Sequence, residues 1–294
     1  MPKLINDNSY MNTFKAALSE KDFKRLSKFI HSECGIKMPD SKKTMLESRL
    51  QKRLRRLRLT SFTEYCDYLF SPQGIENELV HMIDVVTTNK TDFFREPGHF
   101  DYLAQKALPE LIALHGAGIR KNLMVWSAGC STGEEPYTLA IVLSEFTERC
   151  PGFKFRYLIL ATDISTEVLE KAKHGIYEHE RVDPLPPGMK KKYLLKGKNK
   201  SSGLVRIVPE LRSKVRFRRL NFLEGDFGMR EHMDIIFCRN VIIYFDRPTQ
   251  EKLLIRFCRH LGPGGYIFMG HSETLHGMNL PLAQVAPTIY RKQQ

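Results

Sequence analysis

The residues best placed to do chemistry lie in one stretch, Trp126-Ser127-Ala128-Gly129-Cys130-Ser131-Thr132-Gly133-Glu134-Glu135-Pro136-Tyr137. The apolar residues before it, Leu123 to Val125, read as a short buried strand, and Pro136 to Phe146 is apolar at helical spacing. A strand, a turn of small residues and a helix open a ligand-binding α/β sheet, with the ligand outside the carboxyl ends of the strands and against the helix N-terminus. Gly129 and Gly133 permit close backbone approach because neither carries a Cβ. The turn is neither a G-x-G-x-x-G dinucleotide fingerprint nor a P-loop, since no Lys-Ser/Thr follows the second glycine. Glu134 and Glu135 stand where a phosphate would sit and would repel it, so a cationic or zwitterionic ligand is expected. The plainer alternative is a pair of acids complementing the helix dipole, at about 0.3–1 kcal/mol each.

Further polar groups extend this reading. The run Phe155 to Ile159 predicts a second strand, and Asp163 follows it. An acid just beyond the second strand is placed to accept hydrogen bonds from a ribose diol. It could instead cap the helix Thr166 to Lys173, although Ser165 can take that role. Arg95 closes the polar segment Thr87-Thr88-Asn89-Lys90-Thr91-Asp92-Phe93-Phe94-Arg95-Glu96-Pro97 and suits a carboxylate. Ribose, amino group, carboxylate and a cationic sulfur occur together in S-adenosylmethionine.

The elements that must position these groups follow from pattern. Residues 12 to about 85 read as helices. Phe14, Leu18, Phe23, Leu26, Phe29 and Ile30 recur at helical spacing, with Ser19 as cap and Cys34-Gly35 as stop. In the helix Lys42 to Leu59, Leu46, Leu50, Leu54 and Leu57 form one stripe, surrounded by Arg49, Lys52, Arg53, Arg55, Arg56 and Arg58 with only Glu47 opposing. Either these cations are a solvated face or they await an acidic partner. Ser61 to Leu69 and Gly74 to Val85 complete a helical domain over residues 1–85. Residues 86–97 form a linker with a tucked Phe93-Phe94 pair, and residues 98–294 the α/β domain, which begins with a helix from Phe100 to His115.

Within that domain, residues 190–219 break the α/β rhythm. Leu204 to Val208 and Val215 to Arg218 follow the turn Gly197 to Gly203 and predict a small antiparallel insertion with a basic face and an open edge. Met233 to Cys238 reads as a buried strand, followed by Arg239-Asn240-Val241-Ile242-Ile243-Tyr244-Phe245. Thr249 to Leu261 reads as a helix, Tyr266 to Met269 as a strand, and Leu282 to Tyr290 as one last strand.

Composition bounds the rest. The chain has 294 residues, 42% hydrophobic and 27% charged, as in globular proteins. It has no apolar run approaching the roughly 20 residues of a membrane span. Six scattered cysteines without a C-x-x-C pair argue against a disulfide framework or zinc site and for a reducing cytoplasm. No histidine spacing predicts a metal. The net charge of +13 favours an acidic partner. A nucleic-acid methyltransferase is a rival reading. However, no Asn/Asp-Pro-Pro-aromatic segment stands at Arg239 to Ile242, and no RNA-recognition signature is present. A non-catalytic cofactor-binding module is a second rival.

In the segments Thr88 to Arg95, Trp126 to Tyr137, Ala161-Thr162-Asp163-Ile164 and Arg239 to Phe245, the chain resembles the CheR-type chemotaxis protein-glutamate O-methyltransferases. The resemblance runs from the N-terminal helices to the end of the chain. It implies an α/β fold: a Rossmann-like methyltransferase domain with an inserted β-subdomain, preceded by a small all-α domain. It implies S-adenosylmethionine as cofactor, S-adenosylhomocysteine as product, and cofactor contacts at Asn89, Thr91, Arg95, Glu135, Asp163, Asn221, Phe222, Arg239 and Asn240. The chain departs from the broader methyltransferase pattern at Trp126, where many relatives carry an acid. Arg95 and Tyr244 are the candidates for orienting the substrate carboxylate. The expected partners are chemoreceptor cytoplasmic helices bearing methylatable glutamates, docked by Arg49, Arg53, Arg55 and Arg56. In some members of the family the insertion holds a receptor C-terminal peptide, for which Arg206 is the candidate anchor. No nucleic-acid partner and no membrane insertion are expected, and the chain is expected to be a cytoplasmic monomer.

Overall fold

The structure, a computed structural model, describes residues 15–150, 152, 154–197 and 203–293. It divides into two compact units, the first ending at Thr88 and the second beginning at Asn89.

The first unit is helical: α1 (Glu20–Cys34), α2 (Lys43–Leu57), α3 (Phe62–Leu69), α4 (Pro72–Asn77) and α5 (Leu79–Val86). Side-chain caps set the starts. Ser19, Ser61 and Ser71 accept the backbone N–H groups of Asp22, Glu64 and Gly74, pairing donors that a helix start otherwise leaves open. Gly35, at φ 73°, ends α1 in the left-handed conformation that glycine adopts without Cβ strain. Leu46, Leu50 and Leu54 form the buried stripe of α2. Phe14, expected in the first helical stripe, lies outside the described residues.

The arginines of α2 have two different fates, which corrects the docking set. Arg53 is buried and grips Glu78 bidentately, with Nε–Oε1 at 2.8 Å and Nη2–Oε2 at 2.6 Å, while the Tyr65 hydroxyl donates to the same Oε1 at 3.0 Å. Arg49 donates to the carbonyls of Val86 and Thr87 at 2.6 and 2.9 Å, closing the C-terminal end of α5. Arg53 is therefore a core group, and Arg49 is already engaged. Lys52, Arg55, Arg56 and Arg58 are exposed.

In the second unit α6 (Gly98–Tyr102) passes through a π-helical turn (Leu103–Ala107) into α7 (Leu108–His115). Then follow β1 (Leu123–Ala128), α8 (Glu134–Glu148), β2 (Tyr157–Asp163), α9 (Thr166–His174), β3 (Ile176–Glu178), a 3-10 turn (His179–Val182), α10 (Pro187–Tyr193) and β4 (Leu194–Lys196). The chain continues with β5 (Leu204–Ile207), α11 (Pro209–Arg212), β6 (Val215–Arg219), β7 (Met233–Cys238), a 3-10 turn (Ile242–Tyr244), α12 (Arg247–His260), β8 (Leu261–Met269), β9 (Leu282–Ala286) and β10 (Ile289–Lys292).

The main sheet has the order β6-β2-β1-β7-β8-β10-β9. Strands β6, β2, β1, β7 and β8 are parallel, and β10 and β9 close the edge antiparallel. The order grows outward in one direction from β1 to β2 and β6, and in the other from β7 to β8. The β1/β7 boundary is therefore the switch point where open α/β sheets bind ligands. Strand β7 is buried along its whole length, which its apolar run requires when helices cover both faces. Trp126 is buried too. Its Nε1 donates to Thr162 Oγ1 at 2.9 Å, and its ring packs edge-on to Phe222, Phe227 and Phe257.

Three readings of strands are corrected. Val215–Arg219 is not part of the antiparallel insertion; it pairs parallel to β2 in the main sheet. The small sheet has the order β3-β5-β4, so Leu204–Ile207 is its middle strand and the open edges belong to β3 and β4. The tail forms two antiparallel strands, β9 and β10, where one was expected. The central part of the Gly197 to Gly203 turn, residues 198–202, lies outside the described residues. Among the described residues no helix is long and apolar enough to cross a membrane.

Removing one partner of a buried, hydrogen-bonded pair strands the other charge. Arg53→Ala is accordingly expected to destabilise the first unit by ~3–5 kcal/mol, whereas Arg55→Ala should change stability by less than about 0.5 kcal/mol. Urea unfolding of the two variants checks this ordering.

Candidate active site

The site grows from the carboxyl ends of the parallel strands. After β1 the chain turns at Gly129 (φ 84°), where a Cβ would lie 2.4 Å from Val241 Cγ2. A glycine is needed for the β1 loop to lie against the β7 loop. Ser131, at φ 49°, donates its N–H to Asp163 Oδ2 at 2.8 Å and its hydroxyl to the Asn89 carbonyl at 2.9 Å. Asp163, at the end of β2, takes the Ser165 N–H on its other oxygen at 3.0 Å. The cap of α9 is the Ser165 hydroxyl, which accepts from Val168 N. Of the two roles open to Asp163, the helix cap belongs to its neighbour.

The two glutamates that begin α8 are paired, which changes their electrostatic meaning. Glu134 accepts from Thr132 Oγ1 and from Arg181 Nη2, both at 2.6 Å. Glu135 accepts from Ser127 Oγ and from Arg239 Nε, both at 2.7 Å. Each carboxylate faces a guanidinium, so neither acts as the unpaired anion that the sequence suggested for a cationic ligand.

Arg239, just past β7, collects the surrounding segments. Its Nη1 donates to the Arg95 carbonyl at 2.6 Å and to His99 Nδ1 at 3.2 Å, and lies 3.5 Å from Glu96 Oε2. Its guanidinium also sits over the rings of Phe100 and Phe237, at 5.1 and 5.5 Å. Burial and then the Arg239 charge push the His99 imidazole down to about 4. A neutral His99 accepts at Nδ1 and leaves Nε2–H to donate to Thr288 Oγ1, 2.9 Å away.

Asn240 follows at φ 59°, and its Oδ1 is buried without a hydrogen-bond partner. Glu273, beyond β8, fixes this turn by accepting the N–H groups of Asn240, Val241, Ile242 and Gly270 at 2.7–2.9 Å. Burial still raises the Glu273 carboxyl, although those N–H groups pull it down. A Cβ on Gly270 would lie 2.5 Å from Asn240 Nδ2, so this glycine leaves the space the asparagine fills.

The remaining groups come from β6 and the segment before α6. Leu220 N–H donates to the Asp163 carbonyl at 2.9 Å, which brings Asn221 and Phe222 beside β2. Phe93 is buried, Phe94 N–H donates to Thr138 Oγ1 at 3.2 Å, and Arg95 Nη1 donates to the Lys90 carbonyl at 3.2 Å. Tyr244 is half-buried on the 3-10 turn that follows Asn240.

Asn89, Arg95, Glu135, Asp163, Arg239 and Asn240 are thus tied into one set of loops, with Asn221 and Phe222 joined through Leu220. Arg55 and Arg56 belong to the first unit, and Arg206 lies on β5 of the small sheet. Arg181, Tyr177 and Glu273 were missed by sequence reasoning. For Glu273 the signal was available: an acid just past a strand end, in Gly270-His271-Ser272-Glu273.

Glu96, His99 and His271 bring ligand-type atoms within 4.8 Å of one another. The Arg239 guanidinium already supplies positive charge to Glu96 and His99 there, which opposes a metal ion.

An unpaired buried acceptor at Asn240, a carboxylate at the end of β2 and loops from five parallel strands suit a nucleoside that carries polar substituents. The fold and site define an S-adenosylmethionine-dependent methyltransferase. The CheR methyltransferase SAM-binding domain matches residues 89–290, and the CheR methyltransferase all-alpha domain matches residues 21–87. Curated relatives match nearly end to end. The chemotaxis protein methyltransferase of Escherichia coli is 41% identical, over 95% of this chain and 93% of that protein. That of Borreliella burgdorferi is 38% identical, over 98% and 100%. Chemotaxis protein methyltransferase 2 of Pseudomonas aeruginosa is 41% identical, over 92% and 93%. The chain belongs to the CheR methyltransferase family.

Two measurements probe this site. Glu273→Gln would turn an amide N–H₂ toward backbone donors and should cost about 1–3 kcal/mol of stability, read by thermal unfolding. An unchanged midpoint would show that the Asn240 turn is held by other means. For His99, the unfolded side chain titrates near 6.5 and the folded one near 4. Below the unfolded value the unfolded chain binds the extra proton, so stability should fall as pH drops from about 6.5 toward 4. His99→Gln should flatten that part of the stability–pH curve.

Proposed function

We propose that the chain transfers the methyl group of S-adenosylmethionine to glutamate side chains of chemoreceptors, forming methyl esters and releasing S-adenosylhomocysteine in the cytoplasm. The observation that carries this reading is the near end-to-end match to chemotaxis protein methyltransferases, joined to a site whose loops converge at the β1/β7 switch point. The cofactor supplies an electrophilic methyl on a sulfonium. A carboxylate oxygen attacks that carbon while the carbon–sulfur bond breaks toward sulfur, which leaves as a neutral thioether. No proton moves, because a glutamate with an ordinary pKa of about 4.3 is already ionised at neutral pH. The chain's own task is alignment and exclusion of water.

In this reading Asp163 accepts the ribose hydroxyls. Asn89, Thr91, Asn221, Phe222 and Asn240 surround the cofactor. Glu135 and Arg239 contact it while holding each other. Arg95 and Tyr244 orient the substrate carboxylate. The exposed Arg55 and Arg56, with Lys52, meet the acidic receptor helix. The small sheet takes a receptor C-terminal peptide along an edge, β3 or β4, since its middle strand is already paired on both sides. Arg206 stands between Ile176 and Leu195 in one cross-strand row, and both of these apolar neighbours are exposed. An added strand would draw affinity from main-chain hydrogen bonds and specificity from such side chains.

Asp163→Ala is expected to weaken S-adenosylmethionine binding by about 1.5–3 kcal/mol, measured by calorimetry. Charge reversal at Arg55 and Arg56 should raise the KM for receptor and leave cofactor affinity unchanged. The effect should shrink with added salt, since exposed charges are screened over roughly 8 Å at physiological ionic strength. Equal receptor kinetics in variant and wild type would remove the docking role. Receptor C-terminal peptides titrated into wild type and Arg206→Ala separate three results: a tether anchored at Arg206, a tether anchored elsewhere, and a purely structural sheet.

A further inference from the structure

The segment between α9 and β6, which carries the small sheet, also reaches the cofactor loop. Tyr177, in β3, donates its hydroxyl to the Thr132 carbonyl at 2.8 Å. Its ring stands edge-on to Phe93 and Tyr137, with centroids 5.0 and 6.3 Å apart. A Cβ at Gly133 would lie 2.9 Å from the Tyr177 hydroxyl, so the insertion packs directly on the loop.

Arg181, on the 3-10 turn after β3, holds more. Its Nη2 donates to Glu134 Oε1 at 2.6 Å and to the Thr91 carbonyl at 2.7 Å, and its Nη1 donates to Asp92 Oδ1 at 3.1 Å. The Glu134 side chain is only 1% exposed, so without Arg181 it would be a buried carboxylate lacking a counter-charge. Although burial lowers the Arg181 pKa, its bond to Glu134 raises it on balance, consistent with a cation held in place.

We propose that the insertion has a second function, independent of any peptide tether. Through Tyr177 and Arg181 it clamps the Asn89–Arg95 strap onto the Thr132–Glu134 loop and so sets the affinity for S-adenosylmethionine. Arg181 is a positioning residue that acts through Thr91 and Glu134. A planar fork with several donors can serve three acceptors on two segments at once, which a lysine ammonium cannot do with the same geometry. The clamp orders the strap before the cofactor arrives, and preorganisation of this kind raises affinity by lowering the ordering cost of binding. Linkage makes the coupling reciprocal, so cofactor binding should tighten the insertion against the loop.

The test uses the full chain. Calorimetry with S-adenosylhomocysteine should give an affinity about tenfold weaker for Arg181→Ala, equivalent to ~1.4 kcal/mol, with Arg181→Lys recovering little of it. The KM for S-adenosylmethionine should rise while kcat at saturating cofactor stays near wild type. Hydrogen exchange should show faster exchange over residues 89–95 in the cofactor-free variant, with protection restored by saturating S-adenosylhomocysteine. An affinity within twofold of wild type overturns the proposal, as does a fall in kcat at unchanged affinity or a lower unfolding temperature with unchanged affinity. If Arg181→Ala does not fold, Asp92→Asn weakens the exposed limb of the same grip. It should then lower affinity by a smaller factor, and no change overturns the proposal.

Discussion

The buried guanidinium of Arg239 is the interaction on which the site depends. It joins the end of β7 to the start of α8 through Glu135, to the segment before α6 through the Arg95 carbonyl and Glu96, and to α6 itself through His99. A desolvated cation is costly unless its donors are met, and here a carboxylate, a carbonyl and a neutral imidazole meet them. The low His99 pKa belongs to this arrangement, because a protonated imidazole would face Arg239 with a like charge and lose its acceptor. The Phe100 and Phe237 faces add cation–π contact where water is excluded.

The loops tied to this centre are strained in a consistent way. Phe94, Glu96, Ser131 and Asn240 all have left-handed backbones without being glycine. Each such residue costs of the order of 1 kcal/mol or more and persists only where its surroundings over-determine it. The surroundings can be named: Thr138 holds Phe94, the His271 N–H and Arg239 hold Glu96, Asp163 and the Asn89 carbonyl hold Ser131, and Glu273 holds Asn240. Most of these bonds join a backbone group of one segment to a side chain of another. These segments therefore stabilise each other's strained conformations.

The same logic explains the uneven fates of charged residues close in sequence. In α2, Arg53 and Arg56 differ by three positions, yet one pairs with Glu78 in the core and the other faces water. In α8, Glu134 and Glu135 are adjacent, yet one answers to the insertion and the other to β7. At 3.6 residues per turn the adjacent glutamates point about 100° apart, and Arg53 and Arg56 about 60° apart, which is enough to bring each to a different partner.

What the sequence determined by itself was whatever depends on neighbouring residues. Serine caps, the glycine stop after α1, the apolar stripe of α2, the strand–turn–helix at Gly129 to Glu135 and the acid that ends β2 were all legible, because cap chemistry, periodicity and φ preference act over a few residues. The resemblance to the CheR methyltransferases was legible for a related reason: the diagnostic residues occur in short contiguous runs. Tertiary structure alone decided which cations of α2 remain exposed, that β6 joins the main sheet, that β5 lies in the middle of the small one, and that Arg181 answers Glu134 across 47 positions. Those outcomes depend on which surfaces meet after the chain has crossed over. An arginine or a β-prone run carries no local mark of the partner that long-range packing will bring to it.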